Sequence, residues 1–364
     1  MIFSRTAARQ FLLEKLWISH TLSLLIVLIA LASPQEHLRA DTLEENTLPK
    51  LTVETLSQVD TSDPLNYIDC IILGIVEGIT EYLPISSTGH LLITNELLGL
   101  NSDQPLVIDS SGSLGENYTL KEAAFAYIII IQAGAILAVV FLYRSTLYTI
   151  LLGLIGRHPR GRKLGFLILI SFLPAAVIGL ALNDWIEQQL GDNLIAIALA
   201  LFIGAIVMLF IENKRTHQGK NSENEPESKP LNLAALDELS YKQALTIGLA
   251  QCLALWPGMS RSMVTIVGGY WVGLAPQKAA EYSFLLGLIT LSAASAYKVL
   301  TDGAALSQTL ALKPMLLGCA VAFVSAIYAI RFLVNCLNRY GLAPFAWYRI
   351  GLALIILVLF LPKI

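Results

Sequence analysis

The segment Ala123–Tyr143 reads AAFAYIIIIQAGAILAVVFLY, which is 21 residues without a charged side chain. Two further runs, Leu164–Leu182 and Leu194–Ile211, contain no charge in 19 and 18 residues. An α-helix needs about 20 apolar residues to cross the hydrocarbon core of a bilayer. These runs therefore predict membrane-spanning helices. Three shorter apolar runs are further candidates: Tyr282–Tyr297, Met315–Ile330 and Ile350–Leu361.

The composition of the whole chain agrees with these runs. Of 364 residues, 55% are hydrophobic and 14% are charged, whereas a soluble domain is about one-quarter charged. A net charge of −3, without a basic and aromatic stretch, gives no indication of a nucleic-acid partner. We expect an all-α integral membrane protein, a polytopic helix bundle in the bilayer. Four cysteines stand singly in apolar stretches, as small core residues do: Cys70, Cys252, Cys319 and Cys336.

Residues 1–66 differ from the rest of the chain. Arg5, Arg9 and Lys15 precede the apolar run Thr21–Ala32, which ends in small residues, and a polar stretch follows. A basic, an apolar and a small-residue region in this order are typical of a secretory signal peptide. An uncleaved anchor fits as well, so cleavage stays open. We expect this leader to be followed by an exported polar lead-in, and the membrane domain to cover residues 67–364.

Basic residues between the apolar runs predict the orientation, because Lys and Arg are retained on the cytoplasmic side. Loop 144–163 carries five basic residues and no acid, and loop 212–242 also carries five basic residues. Loop 183–193 between them has three acids and no Lys or Arg. We therefore expect loop 183–193 and segment 99–122 outside, the Arg-bearing segment 331–349 inside, and the carboxyl terminus outside.

Two stretches, 67–98 and 244–270, do not read as simple spanning helices. Each has an apolar helical part, a break at Pro84 or Pro257, and a restart rich in Ser and Thr. Irregular backbone at membrane depth requires protein or a wet cavity to satisfy its polar groups. We expect two broken, re-entrant helical hairpins.

The two stretches also resemble each other at a constant offset of 174 residues. With the charge pattern, this match predicts an inverted repeat whose broken helices meet near the midplane. The halves would be about 67–211 and 240–362, joined by the linker 212–239. The matching residues are Gly74, Glu77 and Ser86 in the first stretch and Gly248, Gln251 and Ser260 in the second.

Glu77 and Glu81 are four residues apart, so on a helix they share one face. Carboxylates within membrane segments are rare and usually functional. The alternative is a helix end in the headgroup region with both carboxylates solvated. A pair of carboxylates is a ligand set that suits Mg²⁺ or Ca²⁺.

Ser86, Ser87 and Thr88 stand where a helix begins after Pro84, and a helix start with free N–H groups is a natural phosphate site. Ordinary capping is the alternative. With His90 and the glutamates, these hydroxyls can supply a nucleophile, a proton carrier and an orienting base. The nucleophile is Ser87, Ser86 or a water molecule.

The second stretch supplies a cation, Arg261, whose planar fork suits bidentate binding of phosphate. A structural ion pair with Glu77, Glu81 or Glu281 is the alternative. Ser260, Ser262 and Thr265 are further candidates to bind phosphate. The candidates for supporting roles are Gln132, Gln251 and Glu281.

The segments 74–90, GIVEGITEYLPISSTGH, and 251–265, QCLALWPGMSRSMVT, resemble two signatures of the undecaprenyl-diphosphate phosphatase (bacitracin-resistance protein) family. Weaker likeness extends the resemblance to roughly residues 65–362. It implies a metal-dependent phosphatase of the bacterial inner membrane that converts undecaprenyl diphosphate to the monophosphate at the periplasmic side. Peptidoglycan synthesis and bacitracin tolerance would depend on it. The residues that match the family's functional positions are Glu77, Glu81, Ser86 or Ser87, His90 and Arg261.

A secondary transporter or lipid flippase is the alternative function, because broken helices in an inverted repeat suit it equally. A transporter needs a binding site, but not a set of hydroxyl, imidazole, carboxylate and guanidinium groups. Hydrolysis is therefore the function that we expect. The sequence leaves a homo-oligomer open.

The orientation can be tested with single cysteines. A cysteine at Gln188 should react with a membrane-impermeant thiol reagent in whole cells, and one at Gly219 should react only after lysis. The reverse pattern would invert the predicted orientation.

Overall fold

The structure, a computed structural model, describes residues 65–103, 119–191, 193–221, 235–309 and 312–360. Residues 1–64, which hold the predicted leader, and residues 222–234 of the linker 212–239 lie outside the described residues. The described residues form helices joined by turns, so the prediction of an all-α protein is confirmed.

Eleven α-helices lie in the described ranges. They are α1 (Tyr67–Thr80), α2 (Ser87–Leu97), α3 (Leu120–Leu142), α4 (Arg144–Leu154), α5 (Pro159–Ile186), α6 (Leu194–Asn221), α7 (Tyr241–Gln251), α8 (Arg261–Trp271), α9 (Pro276–Thr309), α10 (Leu312–Tyr340) and α11 (Ala343–Phe360).

Helices α3, α5, α6, α9 and α10 are long and apolar enough to cross a membrane, and α11 contains a shorter apolar helix. Their outward faces carry large apolar side chains such as Leu137, Val177 and Phe210, which a bilayer would cover. The prediction of a polytopic bundle is thus confirmed. Two of the three shorter predicted spans are parts of α9 and α10, and the third, as far as Phe360, lies in α11.

The charged segments between apolar runs are more helical than we expected. Predicted loop 144–163 contains all of α4 and the start of α5, and only residues 155–158 form the turn between them. Predicted loop 183–193 continues α5 and then forms a π-helix, Glu187–Gly191. Charged residues mark where a chain leaves the apolar layer. Backbone hydrogen bonding does not depend on that layer, so the helices continue past it.

The stretch 67–98 is broken near Pro84, as its sequence predicts. Helix α1 ends at Thr80, residues 81–85 form turns, and α2 begins at Ser87 with Ser86 as its N-cap. The backbone of Ser86 has φ 74°, a left-handed value that is costly for a residue with a side chain.

The stretch 244–270 is broken in the same way near Pro257. Helix α7 is followed by a 3₁₀ turn, Cys252–Leu255, and α8 begins at Arg261 with Ser260 as its N-cap. Ser260 has φ 72°, and within the described ranges Ser86 and Ser260 are the non-glycine residues with positive φ.

The correspondence between the two breaks extends through the helices that follow. Helices α2 and α8 both have 11 residues, and they end before Gly99 and Gly273, whose φ values are 70° and 93°. Helix α1 packs on α10, whereas α7 packs on α5. These observations support an internal repeat. Its inversion relative to a bilayer, and the re-entry of the hairpins, stay predictions.

Close packing of the two broken helices depends on glycine. A Cβ atom added at Gly74 would lie 2.7 Å from the carbonyl oxygen of Gly318 on α10. One added at Gly248 would lie 2.7 Å from the Cα of Ser171 on α5. Both contacts involve backbone, so a larger residue must push a helix away.

We expect Gly74→Ala and Gly248→Ala each to lower the free energy of unfolding by about 1–3 kcal/mol through overpacking. The control is Gly351→Ala on α11, where an added Cβ would meet nothing within 4 Å. Thermal unfolding in detergent micelles measures all three. Equal midpoints for the two variants and the control would contradict this account of the packing.

Candidate active site

The two breaks meet through an ion pair between Glu81 and Arg261. Arg261 Nη2 donates to Glu81 Oε1 at 2.9 Å, and the two side chains are only 10% and 6% exposed. Glu81 follows the last residue of α1, and Arg261 is the first residue of α8. The pair therefore joins the points at which each broken stretch is irregular.

Ser87 completes a chain of three groups. Its hydroxyl donates to Glu81 Oε2 at 2.7 Å, so each oxygen of that carboxylate has one partner. Ser87 is the first residue of α2 and is half-buried. A hydroxyl, a carboxylate and a guanidinium thus lie in contact where a helix begins, which is a favourable place for an anion.

The Arg261 guanidinium is fixed from several sides. Its Nη1 donates to the carbonyl oxygen of Ser283 at 3.2 Å, and its Cζ lies 5.6 Å from the centroid of the Tyr82 ring. A Cβ at Gly287 would overlap the guanidinium, so this glycine leaves the room that it needs. Its Nε is buried and has no acceptor among the described residues. This buried N–H is a donor suited to a phosphate oxygen.

Ser86 and Ser260 act as caps. Ser86 Oγ accepts from the N–H of Gly89 at 3.4 Å, and Ser260 Oγ accepts from the N–H of Met263 at 3.3 Å. The capping alternative that the sequence left open therefore describes Ser86. The neighbouring hydroxyl of Ser87 faces the carboxylate instead.

Two of the other predicted phosphate-binding hydroxyls, those of Ser262 and Thr265, have partners within the protein. Ser262 Oγ donates to the carbonyl oxygen of Leu83 at 2.9 Å and so ties the second break to the first. Thr265 Oγ1 donates to the carbonyl oxygen of Arg261 at 2.8 Å and lies 2.6 Å from Ser283 Oγ. Thr88 is exposed beside Ser87.

His90 lies behind the first break. Its Nδ1 is 2.6 Å from the carbonyl oxygen of Ser86, and its Nε2 is 2.7 Å from the hydroxyl of Tyr348 on α11. Both ring nitrogens are thus engaged away from Ser87 and Glu81. Tyr348 is a residue of the site that no sequence motif indicated, although it lies within the range of the weaker family resemblance, residues 65–362.

Glu77 is fully buried one turn before Glu81, beside Gln132. Neither of its carboxylate oxygens accepts a well-formed hydrogen bond in the described part of the chain, although the Gln132 side chain lies close enough to interact with the carboxylate. Gln132 in turn accepts from the hydroxyl of Ser295 at 3.1 Å. Two buried oxygen acceptors without a well-formed hydrogen bond fit a hard cation.

A metal would find two protein carboxylates here, Glu77 and Glu81. No group of three or more His, Cys, Asp or Glu residues that could hold a metal occurs in the described ranges. A Mg²⁺ ion is typically held by one or two carboxylates, with water and substrate phosphate as the other ligands. The residues present therefore fit such an ion.

Two candidates for supporting roles remain, Gln251 and Glu281, and only Gln251 lies at a position of the second stretch that matches a site residue of the first. Gln251, the counterpart of Glu77, is buried and accepts from the Thr290 hydroxyl at 3.4 Å. Glu281 instead binds Lys278 at 2.8 Å and lines a separate cavity with Arg160. The structure does not bring Glu281 to the ion pair.

The fold and the site together define a class: a multi-pass, all-α membrane protein with a buried hydroxyl–carboxylate–guanidinium site. The chain belongs to the family described as bacitracin resistance protein BacA, whose model matches residues 70–355.

Relatives from several bacteria agree with this assignment. A protein of Azotobacter vinelandii named undecaprenyl-diphosphatase is 41% identical over 79% of this chain and 91% of its own length. One of Sorangium cellulosum with the same name is 37% identical over 80% of this chain and 85% of its own. A Rhodospirillum rubrum protein named undecaprenyl-diphosphatase 2 is 39% identical over 81% of this chain and 95% of its own length.

The ion pair should couple strongly in unfolding experiments. Glu81→Gln leaves a buried guanidinium without its partner, which typically costs about 3–5 kcal/mol. We expect the double variant Glu81→Gln/Arg261→Gln to be less destabilised than the sum of the single variants. Chemical unfolding in micelles measures this double-mutant cycle.

The control is the same cycle on Lys278 and Glu281, a more exposed pair whose coupling should be about 0–1 kcal/mol. Equal coupling in the two cycles would contradict the account of the site.

Proposed function

We propose that this protein is an undecaprenyl-diphosphatase, which hydrolyses undecaprenyl diphosphate to undecaprenyl phosphate and inorganic phosphate. The relatives named above carry this activity in their names. The observation that carries the proposal is the contact of Ser87 and Arg261 with the same carboxylate, Glu81. It puts a nucleophile, a proton acceptor and a phosphate-binding cation in one place.

In the proposed mechanism, Ser87 Oγ attacks the terminal phosphorus of the diphosphate. The bond from Oγ to phosphorus forms, the bridging P–O bond breaks, and the lipid monophosphate leaves. The proton of Ser87 passes to Glu81, which already accepts its hydrogen bond. Water then attacks the phosphorus of the phosphoserine, the Oγ–P bond breaks and inorganic phosphate leaves with the protons of the water, while the proton held by Glu81 returns to Ser87 Oγ.

Charge stabilisation is the main requirement of phosphoryl transfer. Arg261 supplies it, because its guanidinium is held in place by Glu81 and by the carbonyl of Ser283. Its unpartnered Nε supplies a further donor to the phosphoryl oxygens. The backbone N–H groups at the start of α2 add to this field.

Geometry favours Ser87 over Ser86 as the nucleophile. The Ser86 hydroxyl accepts the N–H that caps α2, whereas Ser87 donates to a carboxylate that can take its proton. Direct attack by water is the remaining alternative, with Glu81 as its base.

We also propose that Glu77, together with Glu81, holds a divalent cation, Mg²⁺ or Ca²⁺. Such an ion would neutralise charge on the diphosphate and on the departing monophosphate. The support is the fully buried carboxylate of Glu77, whose oxygens accept no well-formed hydrogen bond among the described residues and have only Gln132 close by.

The proposed place of this reaction is the bacterial inner membrane, with the site open to the periplasm. The support is the distribution of basic residues in the sequence. Release of undecaprenyl phosphate would return the lipid carrier to peptidoglycan synthesis. The family's description as a bacitracin resistance protein agrees with a role at this step.

A transporter or flippase is not favoured by the geometry. A transport site needs to bind and release its cargo, and it has no use for a serine hydroxyl that donates to a buried carboxylate.

Phosphate release from a polyprenyl diphosphate by the purified full chain tests the activity and its residues. Arg261→Lys keeps the charge but loses the fork, and we expect turnover to fall about 100–1000-fold. Ser87→Ala should lose turnover at least as severely. Ser86→Asn should retain most of it, because Asn is a good N-cap and tolerates positive φ.

The opposite result for the two serines would make Ser86 the nucleophile, and turnover retained in both would favour water. EDTA should abolish turnover of the wild-type chain and added Mg²⁺ or Ca²⁺ should restore it, with restoration lost in Glu77→Gln. Full activity in EDTA would remove the metal from the proposal. No phosphate release by the wild-type chain would refute the function.

A further inference from the structure

Two consecutive residues of α11, Tyr348 and Arg349, are each linked by hydrogen bonds to one of the two breaks. Tyr348 reaches the first break through His90, whose Nε2 lies 2.7 Å from the Tyr348 hydroxyl. Arg349 reaches the second break directly, since its Nη2 donates to the carbonyl oxygen of Gly258 at 3.1 Å. One turn of a helix that belongs to neither break thus supports both.

The connection to the first break has a defined direction. The carbonyl of Ser86 can only accept, so His90 Nδ1 carries a proton and donates to it at 2.6 Å. In a neutral imidazole, Nε2 then accepts from the Tyr348 hydroxyl. The hydrogen bonds from Tyr348 through His90 thus end on the peptide group between Ser86 and Ser87. Ser86, which provides the carbonyl of this peptide group, is the residue with positive φ.

The connection to the second break is a guanidinium that is fully buried. Arg349 Nε donates to the carbonyl of Leu201 at 3.1 Å, and Nη2 donates to the carbonyl of Ala200 at 3.0 Å as well as to Gly258. A Cβ at Gly204 would overlap this guanidinium, so α6 provides the room for it.

Arg349 has no carboxylate within ion-pair distance in the part of the chain that the structure describes. A buried charge without a counter-ion is costly, and an apolar residue of similar size would stabilise the fold at least as well. Three carbonyl acceptors reduce this cost without removing it. Stability alone therefore does not account for an arginine here, whereas fixing a strained turn does.

Resting on the proposed function, we infer that Tyr348 and Arg349 are positioning residues for the phosphatase reaction. Tyr348, through His90, fixes the peptide that places the Ser87 hydroxyl. Arg349 fixes the turn that places the Arg261 guanidinium, three residues after Gly258. The positions of the nucleophile and of the phosphate-binding cation are thus both fixed by α11. The distance between them therefore depends on two adjacent residues of that helix, Tyr348 and Arg349.

The test uses the full chain with two mild variants and two matched controls. Tyr348→Phe removes only the hydroxyl, and Arg349→Lys keeps the charge but loses the fork. The control Tyr282→Phe removes a fully buried hydroxyl that donates to Leu167 at 2.9 Å, outside the site. The control Arg331→Lys changes an exposed arginine of α10.

A displacement of about 1 Å in a reacting group can cost about 100-fold in rate. We expect kcat to fall about 10- to 100-fold in Tyr348→Phe and Arg349→Lys, with KM nearly unchanged. The controls should stay within about twofold of the wild type, even if Tyr282→Phe lowers the unfolding midpoint.

Amide hydrogen exchange gives a second result that does not depend on activity. Exchange in residues 83–90 should rise in Tyr348→Phe, and exchange in residues 256–262 should rise in Arg349→Lys, each without a rise in the other break. If the wild-type chain releases no phosphate, the proposed function fails, but this exchange pattern still shows that Tyr348 and Arg349 each fix one of the two breaks. Unchanged exchange and kcat in both variants, or equal loosening of both breaks, would overturn the inference.

Discussion

The salt bridge between Glu81 and Arg261 is the contact on which the site depends. Burying two opposite charges in an apolar bundle costs less when they meet each other, which favours an arrangement in which the two broken stretches end at the same place. The glycines at 74 and 248 allow the helices that lead there to pack closely on their neighbours. Close packing, irregular backbone and buried charge are therefore parts of one arrangement.

Much of this arrangement could be predicted from the sequence. Uninterrupted apolar runs specify helices in a membrane, because a chain with so many apolar residues has too few polar ones to cover a surface in water. Pro84 and Pro257 marked the breaks, since proline lacks the N–H that continues the helical hydrogen bonds, although α5 accommodates Pro174 in its interior. An intramembrane Arg261 needs a partner, and the sequence offered three glutamates; only the folded chain distinguishes Glu81 from Glu77 and Glu281.

Other features could not be read from the chain. Helix α4 lies in what charge indicated to be a loop, because position relative to a bilayer and backbone hydrogen bonding are set by different forces. The bond of His90 to Tyr348 joins residues 258 positions apart, and no local pattern indicates it. The buried Arg349 also looks like an ordinary charged helix end until α6 is packed around it.

The repeat places unlike groups at equivalent positions. Ser87 and Arg261 are both the first residue of an 11-residue helix that follows a serine cap with left-handed backbone. Two identical halves would carry the same residue at both positions and would present the same group to each end of an anion. With a hydroxyl at one position and a guanidinium at the other, the two ends of an anion bound between them would meet different groups, so the site itself has a direction.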